Sequence, residues 1–362
     1  MEITQFIHGY TSKGEAIISY ILTNQSGAWV KLSNIGANII GIGVPDKDGV
    51  IQDVVAGYKD INQYFNDSPY LGKTVGQFAN RINKGKFSLN GKDYQLAVNN
   101  GVNHLHGGPQ SMCVQAWVCR VEDNDSAISF TYFSPDGEEN YPGNVQVTAT
   151  FAWSEDNVLT LDLRAVTDKE TIINLTNHCY FNLAGEGNGT ILNHLLQLHA
   201  REYLPIDSTS IPLGKPSPVE GTPFDFRQPK PIGQDIEQDN EQLRHGTGYD
   251  HCWCLDGWEN EVETEGKKAR KLSVRPVAVL KDPVSGRTLT MSTDQPGIQV
   301  YSGNWLAGNG ADKHGNPPQN RSAVALECQN FPDAPNHPHE YPCCYLRPGE
   351  TFHRQISWAF TC

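Results

Sequence analysis

Short runs rich in Val, Ile, Thr and aromatic residues follow one another along almost the whole chain, and helical periodicity is never sustained over three turns. The runs include EAIISYILT (15–23), ANIIGIGV (37–44), AISFTYF (127–133), VQVTATFAW (145–153) and NVLTLDLRAV (157–166). TIINLTNHCYFNL (171–183), VRPVAVL (274–280), RTLTMST (287–293) and GIQVYSG (297–303) continue the pattern. Such residues suit a pleated, half-buried surface. Between them lies turn chemistry, Asp48-Gly49, Asn90-Gly91 and Pro135-Asp136-Gly137, of the kind that reverses a chain into a hairpin. Strands joined by turns, without crossover helices, predict an all-β, mainly antiparallel sandwich with few short helices. The helical candidates are DINQYF (60–65) and IGQDIEQDNEQL (232–243), both short. No compositional break or fixed-period repeat divides the chain, so 1–362 reads as a single large β domain, with the Pro-rich stretch 213–232 as a surface loop.

Charge narrows the function. With 28 Lys and Arg against 41 Asp and Glu, the net charge is −13, and no basic block appears. Nucleic acid is therefore not an expected partner, because phosphate backbones need clustered cations. No stretch reaches the roughly 18 consecutive apolar residues of a membrane span, and the N-terminus lacks the charged and apolar regions of a signal peptide. The nine cysteines show neither disulfide-framework spacing nor a CxxC pair. Cys252 and Cys254, beside His251, and the adjacent Cys343 and Cys344 read as buried thiols of a reduced, cytoplasmic protein.

Side chains alternate across a strand, so its two faces can be read separately. Within 172–183, Ile173, Leu175, Asn177, Cys179, Phe181 and Leu183 form a mainly apolar face; Ile172, Asn174, Thr176, His178, Tyr180 and Asn182 form a mainly polar one. In ALECQNFPDAPNHP (325–338), Val324, Leu326 and Cys328 face one way, and Ala323, Ala325, Glu327 and Gln329 the other. Two alanines beside Glu327 leave room above the sheet, and a Pro- and His-rich loop follows. In 297–303, Gln299 falls beside Gly297 and Tyr301. Three strands that each offer a polar face suit a concave sugar-binding surface, where hydroxyls need fixed donors and acceptors. Taken alone, each feature has a plainer reading: a strand histidine on a solvated face, a strand-end glutamate facing water. NNGVNHLHGG (99–108) adds His104 and His106 at i, i+2, on one side if extended. That spacing also suits a metal pair. GTGYDHCW (246–253) places Asp250 after a glycine-rich turn, where a capping role is the alternative. ANRI (79–82) supplies Asn80 and Arg81, and a planar guanidinium can clamp vicinal hydroxyls.

GQFANRINKGKFSLNGKDYQLAVNNGVNHLHGG, TNHCYFNLAG, GYDHCW, PGIQVYSGNW and LECQNFPDAPNHP occur in the order found in the aldose 1-epimerases, the galactose mutarotases, and the chain resembles that family from about residue 30 to its C-terminus. The resemblance implies a galactose mutarotase-like β-supersandwich, an aldose substrate and no cofactor or metal. It implies Glu327 as catalytic base and His178 as general acid. His106 would contact the sugar near its ring oxygen and assist proton transfer, and Arg81, Asn80, Asp250 and Gln299 would bind substrate. His104 would only support. The sequence departs from the family pattern at Gln77, where Arg is common, at Cys179, where Ser is common, and at Cys328, where Thr is common.

The chemistry fits these groups. Anomers interconvert when the hemiacetal opens, the C1–C2 bond rotates and the ring recloses. A carboxylate and an imidazolium can deprotonate the anomeric hydroxyl and protonate the ring oxygen, each transfer worth about 10²–10⁴-fold. An acidic partner at close range is expected to raise the His178 pKa. The rivals are a non-catalytic sugar binder on the same fold, a hexose-6-phosphate epimerase, which needs a cationic clamp, and a glycosidase, which needs two carboxylates.

Overall fold

The computed structural model describes residues 1–122, 126–258 and 273–362. Three antiparallel sheets dominate. A five-stranded meander runs Glu2–Tyr10, Ala16–Thr23, Trp29–Ser33, Asn38–Pro45 and Ile51–Asp53. A nine-stranded sheet has the order Val118–Val121, Ala127–Ser134, Val145–Trp153, Val158–Thr167, Phe352–Thr361, Thr288–Thr293, Arg275–Lys281, Leu195–Leu198 and Lys230–Pro231. A six-stranded sheet has the order Tyr180–Phe181, Val324–Gln329, Gly297–Tyr301, Asp250–Leu255, Ala200–Leu204 and Ser217–Pro218. The C-terminal strand enters the centre of the nine-stranded sheet, pairing Leu161 with Ile356 and Met291 with Trp358, so the chain end is locked into the core.

Alternation produces the layering. Along Val145–Trp153 every second side chain is buried, and Val147, Ala149, Phe151, Leu159, Leu161, Leu163, Ile356 and Trp358 join one core with Ile298, Val300, Val324 and Leu326 of the six-stranded sheet. Burying each such aliphatic side chain is worth about 1.5–3 kcal/mol. The Asn90-Gly91 turn forms as expected: Leu89 pairs with Lys92, and both turn residues have positive φ, 52° and 73°, the two-residue hairpin geometry.

Three local expectations need correction. The segment 171–183 is not one strand. It breaks into Thr171–Ile172, Thr176–Asn177 and Tyr180–Phe181, paired respectively with Leu346–Tyr345, Val75–Thr74 and Ala325–Val324. The face expected to be polar is buried too, with Ile172, Asn174, Thr176, His178, Tyr180 and Asn182 all at 5% exposure or less. Around 60–65 a 3₁₀ turn forms at Ile61–Asn66, capped by the Asp60 side chain, but of 232–243 only the end is helical, Glu241–Gly246 behind the Asn240 cap. Nor is 213–232 simply surface, since Val219, Phe224 and Phe226 are fully buried. Among the cysteines, Cys252 and Cys344 are buried, Cys254 half-buried and Cys343 exposed, and all nine are free thiols.

Candidate active site

Glu327 is the fourth residue of the strand Val324–Gln329, every one of whose side chains is buried, and it pairs across to Gln299. It is 2% exposed. Glu327 thus lies on the floor of a cavity of about 370 Å³, not at a strand end or a pocket mouth. The room above Ala323 and Ala325 is filled by protein, as both pack with Tyr180, Leu306 and Leu71. Lining the cavity with Glu327 are Asn80, Arg81, His106, His178 and Asp250.

His178 reaches Glu327 from the broken segment. Its backbone N–H donates to the Lys73 carbonyl (2.8 Å), and its own carbonyl accepts from Gly72 N–H (2.9 Å). The side chain sets Nε2 3.4 Å from Glu327 Oε1. His178 Nδ1 and Glu327 Oε2 are buried without a partner, so each side chain has a polar atom left to offer a ligand. Burial moves the two titrations apart. It lowers His178 to about 4 and pushes Glu327 well above its ordinary value, with the Asp250 carboxylate adding to the rise and Arg81 opposing it. The expected upward shift of His178 is thereby corrected: desolvation outweighs the attraction of the Asp250 carboxylate. Burial thus disfavours the charged form of both groups.

His106 lies in the left-handed region (φ 51°), which turns it away from His104. The two are not on one side of an extended strand. His104 is buried between the Ala97 carbonyl (Nδ1, 2.7 Å) and the Tyr141 hydroxyl (Nε2, 2.6 Å), a structural position. His106 accepts the Asn80 backbone N–H at Nδ1 (3.0 Å), and its own N–H donates to the Asn80 carbonyl. An acceptor at Nδ1 leaves the ring proton on Nε2. Together with burial and the neighbouring His178 and Arg81, which lower its pKa strongly, this makes His106 a neutral N–H donor.

Arg81 sits between two acceptors, Asn100 Oδ1 (Nε, 3.0 Å) and Asp250 Oδ2 (NH1, 3.5 Å). Gln299, buried opposite Glu327 on the neighbouring strand, keeps its Oε1 without a partner. It donates to Asp250 Oδ1 (2.7 Å) from the next strand and orients that carboxylate. Gln77 points away, donating to Thr171 Oγ1 (2.7 Å) and the Ile172 carbonyl (2.9 Å), so the departure at this position leaves the cavity wall untouched. The loop after Glu327 braces a neighbouring segment. Asp333 N–H donates to the Arg81 carbonyl (2.8 Å), and Asp333 Oδ1 accepts from Asn83 N–H (2.9 Å), bracing the segment that carries Asn80 and Arg81. Among the lining residues not nominated from sequence are Tyr70, Tyr180, Tyr301 and the exposed Trp305. The NW of PGIQVYSGNW was a signal for Trp305. Nothing marked Tyr70.

His106, His178 and Glu327 have potential ligand atoms within 4.8 Å of one another, a two-histidine, one-carboxylate set. The donor chemistry does not fit. Ligation through His106 Nε2 would move its proton to Nδ1, against the Asn80 N–H.

The sequence model of the family described as aldose 1-epimerase matches residues 19–358. The chain belongs to the aldose 1-epimerase family. Pig galactose mutarotase is 37% identical over 361 residues, covering 100% of this chain and 99% of its own. Aldose 1-epimerase of Escherichia coli is 35% identical over 94% of each chain. Among solved structures, a galactose 1-epimerase from Lactobacillus acidophilus superposes with a TM-score of 0.84 at 28% identity, covering 100% of this chain and 99% of its own. Membership makes the protein an isomerase that interconverts the anomers of aldoses, and the antiparallel supersandwich is the family's fold. No helix among the described residues is long and apolar enough to cross a membrane.

Proposed function

We propose that the protein interconverts the α and β anomers of free hexoses, galactose or glucose, with Glu327 as base and His178 as acid. The carrying observation is the buried His178–Glu327 pair, 3.4 Å apart, on the floor of a polar cavity. Reaction requires the pair to hold one proton, on His178, with Glu327 as the carboxylate, and the 3.4 Å between Nε2 and Oε1 lets that proton pass between them. Glu327 then takes the proton of the anomeric hydroxyl as the C1–ring-oxygen bond breaks, and His178 gives its proton to the ring oxygen. The open-chain aldehyde is left with a carboxylic acid and a neutral imidazole. Rotation about C1–C2 and the reverse transfers close the other anomer.

The remaining groups bind. The His106 Nε2–H suits an accepting sugar oxygen. Arg81 and Asp250 offer a donor fork and an acceptor to hydroxyls. Tyr70, Tyr180 and Tyr301 enclose the ring. Arg81 is the one lysine or arginine among the lining residues and is already engaged by Asp250 and Asn100, which favours a neutral sugar over a hexose 6-phosphate. Asp250 is likewise held by Arg81 and Gln299, a hydroxyl acceptor rather than the second acid of a glycosidase. Free thiols throughout suit a reducing compartment, and we place the protein in the cytoplasm. The test is polarimetry of freshly dissolved α-D-galactose, α-D-glucose and α-D-glucose 6-phosphate. Acceleration of either free hexose well above its spontaneous rate supports the reading. Acceleration of the phosphate alone refutes it, and sugar binding without acceleration would make the protein a sugar sensor.

A further inference from the structure

Behind the cavity lies a second ion pair that the proton transfers do not use. Lys73 Nζ stands 3.6 Å from Asp67 Oδ2, and both side chains are 0% exposed. The pair is poorly satisfied for its depth. The Tyr58 hydroxyl donates to Asp67 Oδ1 (2.9 Å), but at 3.6 Å Lys73 Nζ and Asp67 Oδ2 stand just beyond hydrogen-bond distance of each other. Removing two charges from water costs several kcal/mol per ion, and an apolar pair of similar volume is often as stable or more so. Stability alone therefore does not account for it.

Its position does. Asp67 ends the 3₁₀ turn and Lys73 begins the stretch that pairs with the His178 segment. The seven residues between and including them form a loop whose two ends this ion pair joins. Ser68, Pro69 and Tyr70 of that loop line the sugar cavity. Tyr70 takes a positive φ of 58°, which a non-glycine residue holds only where the surroundings impose it. Its ring meets His106 edge-on, centroids 4.7 Å apart, and lies nearly parallel to His178 at 6.2 Å. The closing arm is also the arm that holds the catalytic histidine: the Lys73 carbonyl accepts the His178 N–H, and Gly72 N–H donates back. On the other arm, the Tyr180 hydroxyl donates to the Pro69 carbonyl (3.0 Å).

We propose that Asp67 and Lys73 are positioning residues for anomerisation, a buried ionic clamp that closes the 67–73 loop and so holds Tyr70 against His106 and His178. Neither touches the sugar. The proposal rests on the mutarotase reading above. It explains why the pair is ionic: a charged pair tolerates one partner only, whereas apolar side chains would permit several loop closures. The Lys73 charge also bears on His178, whose other titratable neighbours are Glu327, His106, Tyr70, Tyr180 and Asp250. Lys73 opposes its protonation and Asp250 favours it.

The test compares wild type with Lys73→Met, with the double variant Asp67→Asn/Lys73→Met, with Tyr70→Ala and with the triple variant. Lys73→Met alone strands Asp67 and is expected to lower Tm; Asp67→Asn is expected to restore it. The restored double variant should still lose about 10- to 100-fold in kcat, the scale of a misplaced catalytic group, with a much smaller change in KM. Tyr70→Ala should show a similar loss, and the triple variant no more than Tyr70→Ala alone. A double variant with wild-type kcat and KM overturns the proposal. So does a triple variant in which the losses multiply, since the clamp would then act elsewhere than through Tyr70. If the double variant does not fold, Asp67→Asn alone takes its place: a similar loss in kcat supports the clamp, and wild-type kcat and KM overturn it. A wild-type protein without mutarotase activity would sink the functional reading instead, a result distinct from an active wild type with an indifferent clamp.

Discussion

Asn174 is the most consequential residue outside the cavity. Its side chain joins three separated stretches: Nδ2 donates to the Ala79 carbonyl (3.1 Å) and the Asn330 carbonyl (3.4 Å), and Oδ1 accepts the Asn330 N–H (2.9 Å). Asn174 is 1% exposed. Through it the Asn80–Arg81 segment, the strand-breaking stretch that leads to His178, and the chain leaving Glu327 become one unit. Asn174→Ala removes three contacts and leaves three buried backbone groups without the side chain that satisfied them. An orphaned buried group costs about 1–3 kcal/mol. The contact at 3.4 Å is weak, so a total of about 3–6 kcal/mol is expected, a large share of the roughly 5–15 kcal/mol that holds a folded protein. Urea unfolding of wild type and variant at pH 7 measures the difference, and the remaining folded fraction should show a raised KM as Arg81 and Glu327 lose their common anchor. A stability loss below about 1 kcal/mol would refute the reasoning, because it would mean those groups find other partners.

Two further outcomes follow from the site. Activity needs one proton on the His178–Glu327 pair, so kcat/KM should be bell-shaped in pH. As pH falls towards the lowered His178 value of about 4, a second proton removes the base. As pH rises through the raised Glu327 value, the last proton is lost and with it the acid; activity that persists undiminished well below pH 4 counts against this pair. Gly107→Ala should damage the site without touching a reacting group. At φ 81° its Cβ would stand 1.9 Å from the Gly76 carbonyl oxygen, and strain of about 1–3 kcal/mol from the dihedral alone would displace the adjacent His106. A lowered Tm with a reduced rate is expected, and wild-type values in both would contradict it.

The strand-rich architecture could be read in advance because alternation and turn residues are local signals. Runs such as VQVTATFAW became strands with nearly the expected limits, and Asn90-Gly91 reversed the chain where expected. The stretch 171–183 does not follow its own alternation, because its pairing is set by three distant partners that no periodicity within it reveals. Alternation set Glu327 on a different face from Val324, Leu326 and Cys328, and the family motifs gathered His178, Asn80, Arg81, His106 and Asp250 around it. What stayed hidden depends on depth. Burial, not neighbouring charge, governs the titration of His178. The role of Gln299 behind Asp250 and the bracing by Asp333 are tertiary contacts. Lys73 and Asp67 look like ordinary surface charges in sequence, because a pair six residues apart becomes buried only when its loop folds over the site.

The account turns on one carboxyl group. Polarimetry of α-D-galactose with wild type and Glu327→Gln, the spontaneous rate subtracted, tests it most directly. The amide keeps the shape of the side chain and cannot accept the anomeric proton. The variant should fold, bind the sugar and lose at least about 10²-fold in rate, the lower end of a positioned proton transfer. A folded Glu327→Gln protein that still equilibrates the anomers at the wild-type rate would contradict the assignment of Glu327 as the base.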